Sequence, residues 1–208
     1  MTLSPEGRQL LLDFEVGGGE PYYRKFLRFP TWPGESSGVT IGVGFDLGYH
    51  TQAQFSEAWG ALLADDNSAI LARALGIKRQ PARELLAADD EMRDVEIPWD
   101  KALDVFERIT VPRWYLATLR IYPQILNLPD AARDALVSLV FNRGSDLIGP
   151  RRVEMADIQK SLKQNNFQVV PALIRSMKRL WPNPSSDKPS GLQRRREAEA
   201  ALFEKAIA

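Results

Sequence analysis

Apolar residues along most of the chain recur every three or four positions, the spacing of one face of an amphipathic helix. The first helix is predicted to begin at Ser4-Pro5-Glu6, where a capping serine precedes a proline at the first helical position. Gly17-Gly18-Gly19 should end it. From Thr51 onward the spacing predicts helices over residues 51–63, 67–75, 80–90, 100–122 (with a kink or break at Pro112), 129–142, 153–165, 168–179 and 190–206.

Residues 20–50 show little of this helical spacing. Val39, Ile41, Val43 and Phe45 alternate with small or polar residues, as in a short strand or hairpin. We therefore predict an α+β fold, mainly helical with a small β lobe and a cleft between two lobes. The predicted single domain, residues 1–208, combines an N-terminal helix (1–20) packed with the C-terminal lobe, a small β lobe (21–50) and a helical lobe (51–208).

Composition describes an ordinary globular chain of 208 residues, 44% hydrophobic and 26% charged. The absence of cysteine excludes disulfides and thiol catalysis, and the single histidine, His50, argues against most histidine-based metal sites. The N-terminus lacks the layout of a secretory signal, and no apolar run approaches the roughly 18 residues of a membrane span. We therefore expect synthesis in the cytoplasm and no integral membrane segment.

Charge is unevenly distributed although the formal net charge is zero. Residues 1–103 hold 10 basic and 16 acidic side chains, whereas residues 104–208 hold 17 basic and 11 acidic ones. A basic second half would attract an anionic polymer such as peptidoglycan or nucleic acid, but solvated helix faces together with attraction between the lobes explain the distribution equally well. Because nothing resembles a nucleic-acid recognition module, we expect no nucleic-acid partner.

Two acidic residues in unlike surroundings are the candidate catalytic groups. Glu15 follows the apolar stretch of the first helix, and apolar surroundings favour the protonated carboxyl group that a general acid needs. Thr40 and Asp46 have the same parity along the predicted strand, so their side chains should project to one side. If they lie on adjacent arms of a bent hairpin, an ionised Asp46 and the Thr40 hydroxyl would hold one water between them. The alternatives are a solvent-facing glutamate, a strand threonine and a turn-forming aspartate.

Other residues are candidates for holding a sugar chain. Aromatic faces stack on sugar rings, which makes Trp32 and Tyr49 candidates, together with Tyr22, Tyr23 and Trp181, although core packing is the commoner fate of such residues. Polar side chains at predicted helix ends would bind N-acetyl or carboxylate groups; these are Asn142, Arg143, Gln193 and Arg194. Alternatively, Asn142 caps its helix, and Arg194-Arg195-Arg196 forms a solvated face.

The order of several motifs resembles the phage-type lysozymes, glycoside hydrolase family 24. The resemblance covers most of the chain and rests on Glu15 at the helix end, Thr40-Ile41-Gly42-Val43-Gly44, Ile97-Pro98-Trp99-Asp100-Lys101-Ala102-Leu103, Phe141-Asn142-Arg143-Gly144 and Gly191-Leu192-Gln193-Arg194-Arg195-Arg196-Glu197-Ala198. In typical members the catalytic aspartate lies between the glutamate and the Thr-x-Gly-x-Gly run. In this chain the corresponding stretch, residues 16–39, contains no aspartate. The order Glu15, Thr40, Asp46 instead resembles the lysozyme-like domain of pesticin and related antibacterial toxins.

This resemblance implies a lysozyme-like fold and the catalytic roles of Glu15, Thr40 and Asp46. It implies a muramidase that hydrolyses the β-1,4 bond between N-acetylmuramic acid and N-acetylglucosamine, with inversion and without metal or organic cofactor. The chain would be a phage endolysin or an antibacterial effector, delivered to the periplasm or wall by a holin or a secretion machine. An effector would have an immunity protein. One alternative is a glycosidase that cleaves a chitin-like polymer. The other is a non-catalytic lysozyme-like module that binds the wall or a partner protein.

Overall fold

A computed structural model describes residues 2–182 and 189–208 of the chain. The fold is mostly helical with one two-stranded antiparallel sheet, which confirms the predicted α+β class. None of the described helices combines the length and the apolar character needed to cross a membrane.

Helices occupy most of the positions that the sequence pattern predicts. The helices are α1 Pro5–Glu15, α2 Glu20–Phe26, α3 Gln52–Trp59, α4 Asp65–Ala72, α5 Gln80–Ala88, α6 Asp90–Arg93, α7 Trp99–Val105, α8 Val111–Ile121, α9 Asp130–Arg143, α10 Val153–Lys163, α11 Val170–Ser176 and α12 Gly191–Ile207. The strands are β1 Thr40–Ile41 and β2 Phe45–Asp46. Short 3-10 turns cover Leu47–Tyr49, Pro123–Asn127, Phe167–Val169 and Met177–Leu180.

The chain divides into two compact units. One, here called the hairpin unit, is the continuous stretch of residues 15–111. The other, the helical unit, combines residues 1–14 with residues 112–208. The predicted β lobe ended at residue 50, whereas helices α3 to α7 belong to the same unit as the hairpin.

In the helical unit, α9 packs most extensively against α12. Nearly the whole middle of α9 is buried, from Asp134 to Val140. The α1 helix lies close to α9, because a Cβ atom placed on Gly7 would approach the Asp134 carboxylate oxygen to 2.5 Å. The Ser4 side chain accepts a hydrogen bond from the Gly7 backbone N–H at 3.0 Å, as its predicted capping role requires.

In the hairpin unit, the β strands pack on a tryptophan of α3. The Phe45 ring meets the Trp59 ring edge to face, with 5.8 Å between their centroids. A Cβ atom on Gly42 would approach the same indole to 2.9 Å. Both aromatic side chains are fully buried or nearly so. The hairpin is therefore fixed by apolar packing of its inner face.

Residues 20–26 form helix α2, a helix that the pattern of residues 20–50 did not predict. Pro21 suits the first turn of a helix, where its missing N–H has no intrahelical role. Only Tyr23 of this short helix is buried, and its hydroxyl donates to the Ile97 carbonyl oxygen at 2.9 Å. One buried residue gives no apolar stripe, which is why the periodicity did not predict the helix.

The predicted kink or break at Pro112 takes the form of a π-helical turn. This turn, Phe106–Thr110, joins α7 directly to α8. A proline ring clashes with the carbonyl four residues earlier in a regular α-helix, and the wider π turn just before Pro112 accommodates it. The regular α-helix is therefore broken just before Pro112, while the chain stays helical on both sides.

Candidate functional site

The β hairpin brings two of the three candidate catalytic residues side by side. Thr40 and Asp46 are direct cross-strand partners, and Ile41 pairs with Phe45. Both backbone hydrogen bonds of Thr40 go to Thr31 on the opposite side, at 2.7 and 2.9 Å. Thr40 and Asp46 thus form a pair without mutual backbone hydrogen bonds, the arrangement in which side chains on one face lie closest.

The Asp46 carboxylate is held by backbone N–H groups. Gly38 N–H donates to both carboxylate oxygens at 3.0 Å, and Gly48 N–H donates to Oδ1 at 2.9 Å. Asp46 also caps the 3-10 turn that follows it, which is the turn-forming role considered as the alternative to catalysis. These bonds fix the orientation of the carboxylate. An ionised carboxylate has about four lone-pair sites, so capacity remains for a water.

The two residues that donate to Asp46 must be glycines, because neighbouring atoms lie too close to leave room for a Cβ atom. A Cβ atom on Gly38 would lie 2.5 Å from Asp46 Oδ1 and 2.6 Å from the Gly48 nitrogen. A Cβ atom on Gly48 would lie 2.5 Å from the Ile77 carbonyl oxygen. Glycines at these two positions let the Gly38, Gly48 and Ile77 backbones approach one another, and the first two donate to the Asp46 carboxylate.

The segment before α5 supports this arrangement from the other side. Lys78 forms an isolated antiparallel bridge with Gly38, and Arg79 N–H donates to the Ser37 carbonyl oxygen at 2.8 Å. Arg79 has φ 62° and ψ −144°, a backbone conformation that side-chain-bearing residues rarely adopt. A strained residue therefore lies next to the residues that hold Asp46. Nothing in the local sequence pattern indicated this contact, because the segment is some 40 residues away from Gly38.

Two of the predicted sugar-binding aromatic residues form hydrogen bonds with the loop that precedes Gly38. The Trp32 indole N–H donates to the Ser37 carbonyl oxygen at 3.1 Å, and the Tyr49 hydroxyl donates to the Ser36 carbonyl oxygen at 3.0 Å. Tyr49 is 51% exposed and Trp32 is half-buried. Of the other aromatic candidates, Tyr23 is fully buried in the core.

Glu15, the third candidate catalytic residue, belongs to the same unit as Thr40 and Asp46. It is the last residue of α1 and is half-buried, and the next residue, Val16, is fully buried. The predicted helix stop is present, because Gly17, Gly18 and Gly19 have φ values of 57°, 95° and 132°.

The remaining predicted substrate-binding residues lie in the helical unit. Asn142 is exposed near the end of α9, and Arg143, the last residue of that helix, lies 5.1 Å from the Trp181 ring. Burial and the neighbouring arginines Arg152 and Arg196 lower the pKa of Arg143 to about 10. Their substrate contacts stay predictions.

Two of these residues have structural contacts at the start of α12. Gln193 forms a capping box with Ser190: its side-chain oxygen accepts from the Ser190 N–H at 2.9 Å. Arg194 is exposed and donates to the Pro189 carbonyl oxygen at 2.9 Å. The loop between Trp181 and this helix falls partly on residues 183–188, outside the described residues.

The expectation that Arg194-Arg195-Arg196 forms a solvated face is wrong for two of the three residues. Arg195 and Arg196 are buried, and both interact with Glu199 one turn later at distances between 2.7 and 3.2 Å. The Ser138 hydroxyl of α9 also donates to Glu199, at 2.7 Å. Burial lowers the pKa of Arg196, although Glu199 opposes this effect. The network joins α12 to α9 through one buried carboxylate.

Within the described residues, no group of three or more histidine, aspartate or glutamate side chains is placed to hold a metal ion.

Comparison with known families places the chain in one of them. The family described as "Domain of unknown function (DUF8812)" matches residues 10–115, about half of the chain. The chain therefore belongs to this family. The matched region contains the whole hairpin unit, including Glu15, Thr40 and Asp46. No curated protein matches the chain.

Proposed function

We propose that this protein is a peptidoglycan-degrading muramidase with a lysozyme-like fold. The observation that carries the proposal is the cross-strand pairing of Thr40 with Asp46 on a hairpin whose backbone N–H groups orient the Asp46 carboxylate. Two further features support it. Glu15 is a half-buried carboxyl residue at a helix end of the same unit, and the aromatic residues Trp32 and Tyr49 border the loop that contacts Asp46.

In the proposed reaction, the Glu15 carboxyl group donates its proton to the glycosidic oxygen as the bond to C1 breaks. A water held by Thr40 and Asp46 attacks C1 from the opposite face and gives a proton to the Asp46 carboxylate. Asp46 then releases its proton to solvent and Glu15 takes up a proton from solvent, which restores the starting state. This sequence inverts the configuration at C1 and requires only these side chains and water.

The muramidase proposal is tested by mass spectrometry of peptidoglycan digested with the purified protein. We expect fragments with N-acetylmuramic acid at a free reducing end. Anhydro ends would indicate a lytic transglycosylase, and separation of intact glycan from peptide would indicate an amidase. Either result, or an undigested wall, would contradict the proposal.

Substitution of the three candidate residues tests their roles. Glu15→Gln should lower wall lysis at least about 1,000-fold, because it removes the proton donor while keeping the shape of the side chain. Asp46→Asn should have nearly as large an effect, and Thr40→Ala a smaller one. Turbidity clearance measures lysis, and circular dichroism confirms folding. Full clearance by a folded Glu15→Gln protein would refute the assignment.

The same protein variants and wall preparations also distinguish the muramidase from two alternative functions. A chitinase-like glycosidase would release reducing ends from chitin oligomers faster than from peptidoglycan. A non-catalytic module would bind walls equally well with Glu15 or Gln at position 15, and would release no reducing ends. As a phage endolysin or an antibacterial effector, the protein would reach the wall through a holin or a secretion machine, and an effector would be inhibited by an immunity protein.

A further inference from the structure

The hairpin unit has an excess of acidic residues, yet basic residues collect beside the candidate site. Residues 15–111 hold 16 acidic and 10 basic side chains. Half of the basic residues form ion pairs with acids of the same unit; these are Arg24, Arg28, Arg73, Arg93 and Arg108. Three of the other five, Lys78, Arg79 and Arg83, lie within six positions of each other.

Lys78 is held close to Asp46. A Cβ atom on Gly48 would lie 2.6 Å from the Lys78 Cγ atom, so the lysine side chain crosses the glycine whose N–H donates to Asp46. Its ammonium group lies 4.2 Å from the centre of the Tyr49 ring. The lysine is exposed, and its backbone is fixed by the bridge to Gly38.

Arg83 repeats this arrangement with the second aromatic side chain. Its guanidinium carbon lies 5.7 Å from the centre of the Trp32 ring. Arg83 is exposed on α5. Two aromatic rings therefore border the loop beside Asp46, and an exposed cation lies over each ring.

We propose that Lys78 and Arg83 bind carboxylate groups of the substrate and so select an acidic glycan over a neutral one. This inference rests on the proposed function, since it concerns substrate choice at the same site. An aromatic ring offers a stacking surface for a sugar, and a cation beside it pairs with an acidic substituent of that sugar. Peptidoglycan strands carry carboxylates on the lactyl group or on the peptide stem, whereas chitin carries none.

Binding measurements on the Glu15→Gln protein test the inference without requiring cleavage. Isothermal titration calorimetry would compare soluble peptidoglycan strands, the same strands after carbodiimide amidation of their carboxylates, and chitin hexamers. We expect amidation to weaken binding about tenfold, and added salt to weaken binding of the unmodified strands only. Hydrolysis of the lactyl–peptide amide bond by an amidase removes the stem carboxylates and exposes the lactyl carboxylate. Strands treated in this way therefore distinguish recognition of the lactyl group from recognition of the stem.

Variants locate the effect on the two cations. Lys78→Gln and Arg83→Gln, each added to Glu15→Gln, should each weaken binding of the unmodified strands about threefold to tenfold and leave chitin binding unchanged. Lys25→Gln is the matched control, because Lys25 also lies over an aromatic ring, that of Phe26, at 5.0 Å. Equal affinity for native and amidated strands, or equal effects of the Lys78 and Lys25 substitutions, would overturn the inference. Carboxylate-dependent binding in a wild-type protein that cleaves no glycan would instead refute only the proposed hydrolase.

Discussion

At the scale of single residues, the candidate site depends on backbone geometry as much as on its reactive side chains. Asp46 is oriented by the N–H groups of Gly38 and Gly48, and neither glycine leaves room for a Cβ atom. The sequence pattern predicted that Thr40 and Asp46 would share a face, and the hairpin register agrees with this expectation. The contribution of Gly38 could not be predicted, since its partners come from two other segments, residues 46–48 and Lys78.

Gly38→Ala should disturb the site more than replacement of a hairpin glycine that has a positive φ but open space around it. The new methyl group would lie 2.5 Å from Asp46 Oδ1, so the carboxylate or the backbone must move. We expect a loss of about 1–3 kcal/mol in the free energy of unfolding and at least a tenfold loss of wall lysis. Urea denaturation and turbidity clearance measure the two effects.

Gly44→Ala is the control for this prediction. Gly44 has φ 72°, but a Cβ atom there would meet nothing within 4 Å. Its replacement should cost about 1 kcal/mol of backbone strain and leave lysis nearly unchanged. If the two alanine variants lose activity equally, close contact at Gly38 is not what orients Asp46.

Asp134 should make stability depend on pH. It is fully buried, and burial raises the pKa of its carboxyl group above the ordinary value of 3.8, against the opposing effects of Ser4 and Arg133. The folded state therefore binds this proton more tightly than the unfolded state does. The stability that Asp134 contributes is fully present below the ordinary pKa and is lost as pH rises through the folded pKa.

Asp134→Asn isolates this effect because asparagine does not titrate. We expect the unfolding free energy of the wild-type protein, relative to that of the variant, to fall as pH rises from about 4 to 7. Urea denaturation at several pH values measures the difference. The absolute difference also includes the lost ion pair with Arg133, so the trend is the test. A difference that stays constant or rises with pH would show that burial does not control this carboxyl group.

At the scale of secondary structure elements, periodicity predicted the helices with buried stripes but missed elements fixed by distant partners. Helix α2 buries only Tyr23, and the basic run at the start of α12 looked solvated although Arg195 and Arg196 are buried. Glu199 follows these arginines at three and four positions, a spacing visible in the sequence. Ser138, on α9, is 61 positions away from Glu199, and no local pattern could indicate that contact.

Glu199→Ala should strongly destabilise the packing of α9 against α12. Removal of this carboxylate takes away the buried acid that contacts the guanidinium groups of both Arg195 and Arg196. Breaking such a buried network typically costs about 3–5 kcal/mol. Urea denaturation of the purified variant measures the loss.

Glu204→Ala on the same helix provides a matched control. Glu204 pairs with Arg175 at 2.7 Å, but it is largely exposed. Exposed ion pairs contribute at most about 1 kcal/mol, so this variant should remain close to the wild-type protein in stability. Comparable losses in the two variants would mean that burial of the arginines is not what makes Glu199 important.

At the scale of the whole molecule, the two units differ in the sign of their net charge. The helical unit holds 17 basic and 11 acidic residues, the reverse of the acidic excess in the hairpin unit. Many of its cations are already engaged by acids, however. Arg175 and Lys178 both contact Glu197, and Arg179 contacts Glu154 at 2.6 Å. Net charge alone therefore overstates the positive surface that this unit offers to a polyanion.

Duplex DNA should accordingly bind weakly or not at all at physiological salt. Non-specific affinity depends on how many free cations neutralise phosphates, and the paired arginines and lysines are not available for this. We expect no retardation of a short duplex by micromolar protein at about 150 mM salt in a gel-shift assay. Glu197→Gln should free Lys178, while Arg175 keeps its pair with Glu204, and so should increase retardation slightly at low salt. Strong wild-type retardation that weakens steeply with salt would instead identify the helical unit as a nucleic-acid-binding surface, because only uncompensated cations produce that dependence.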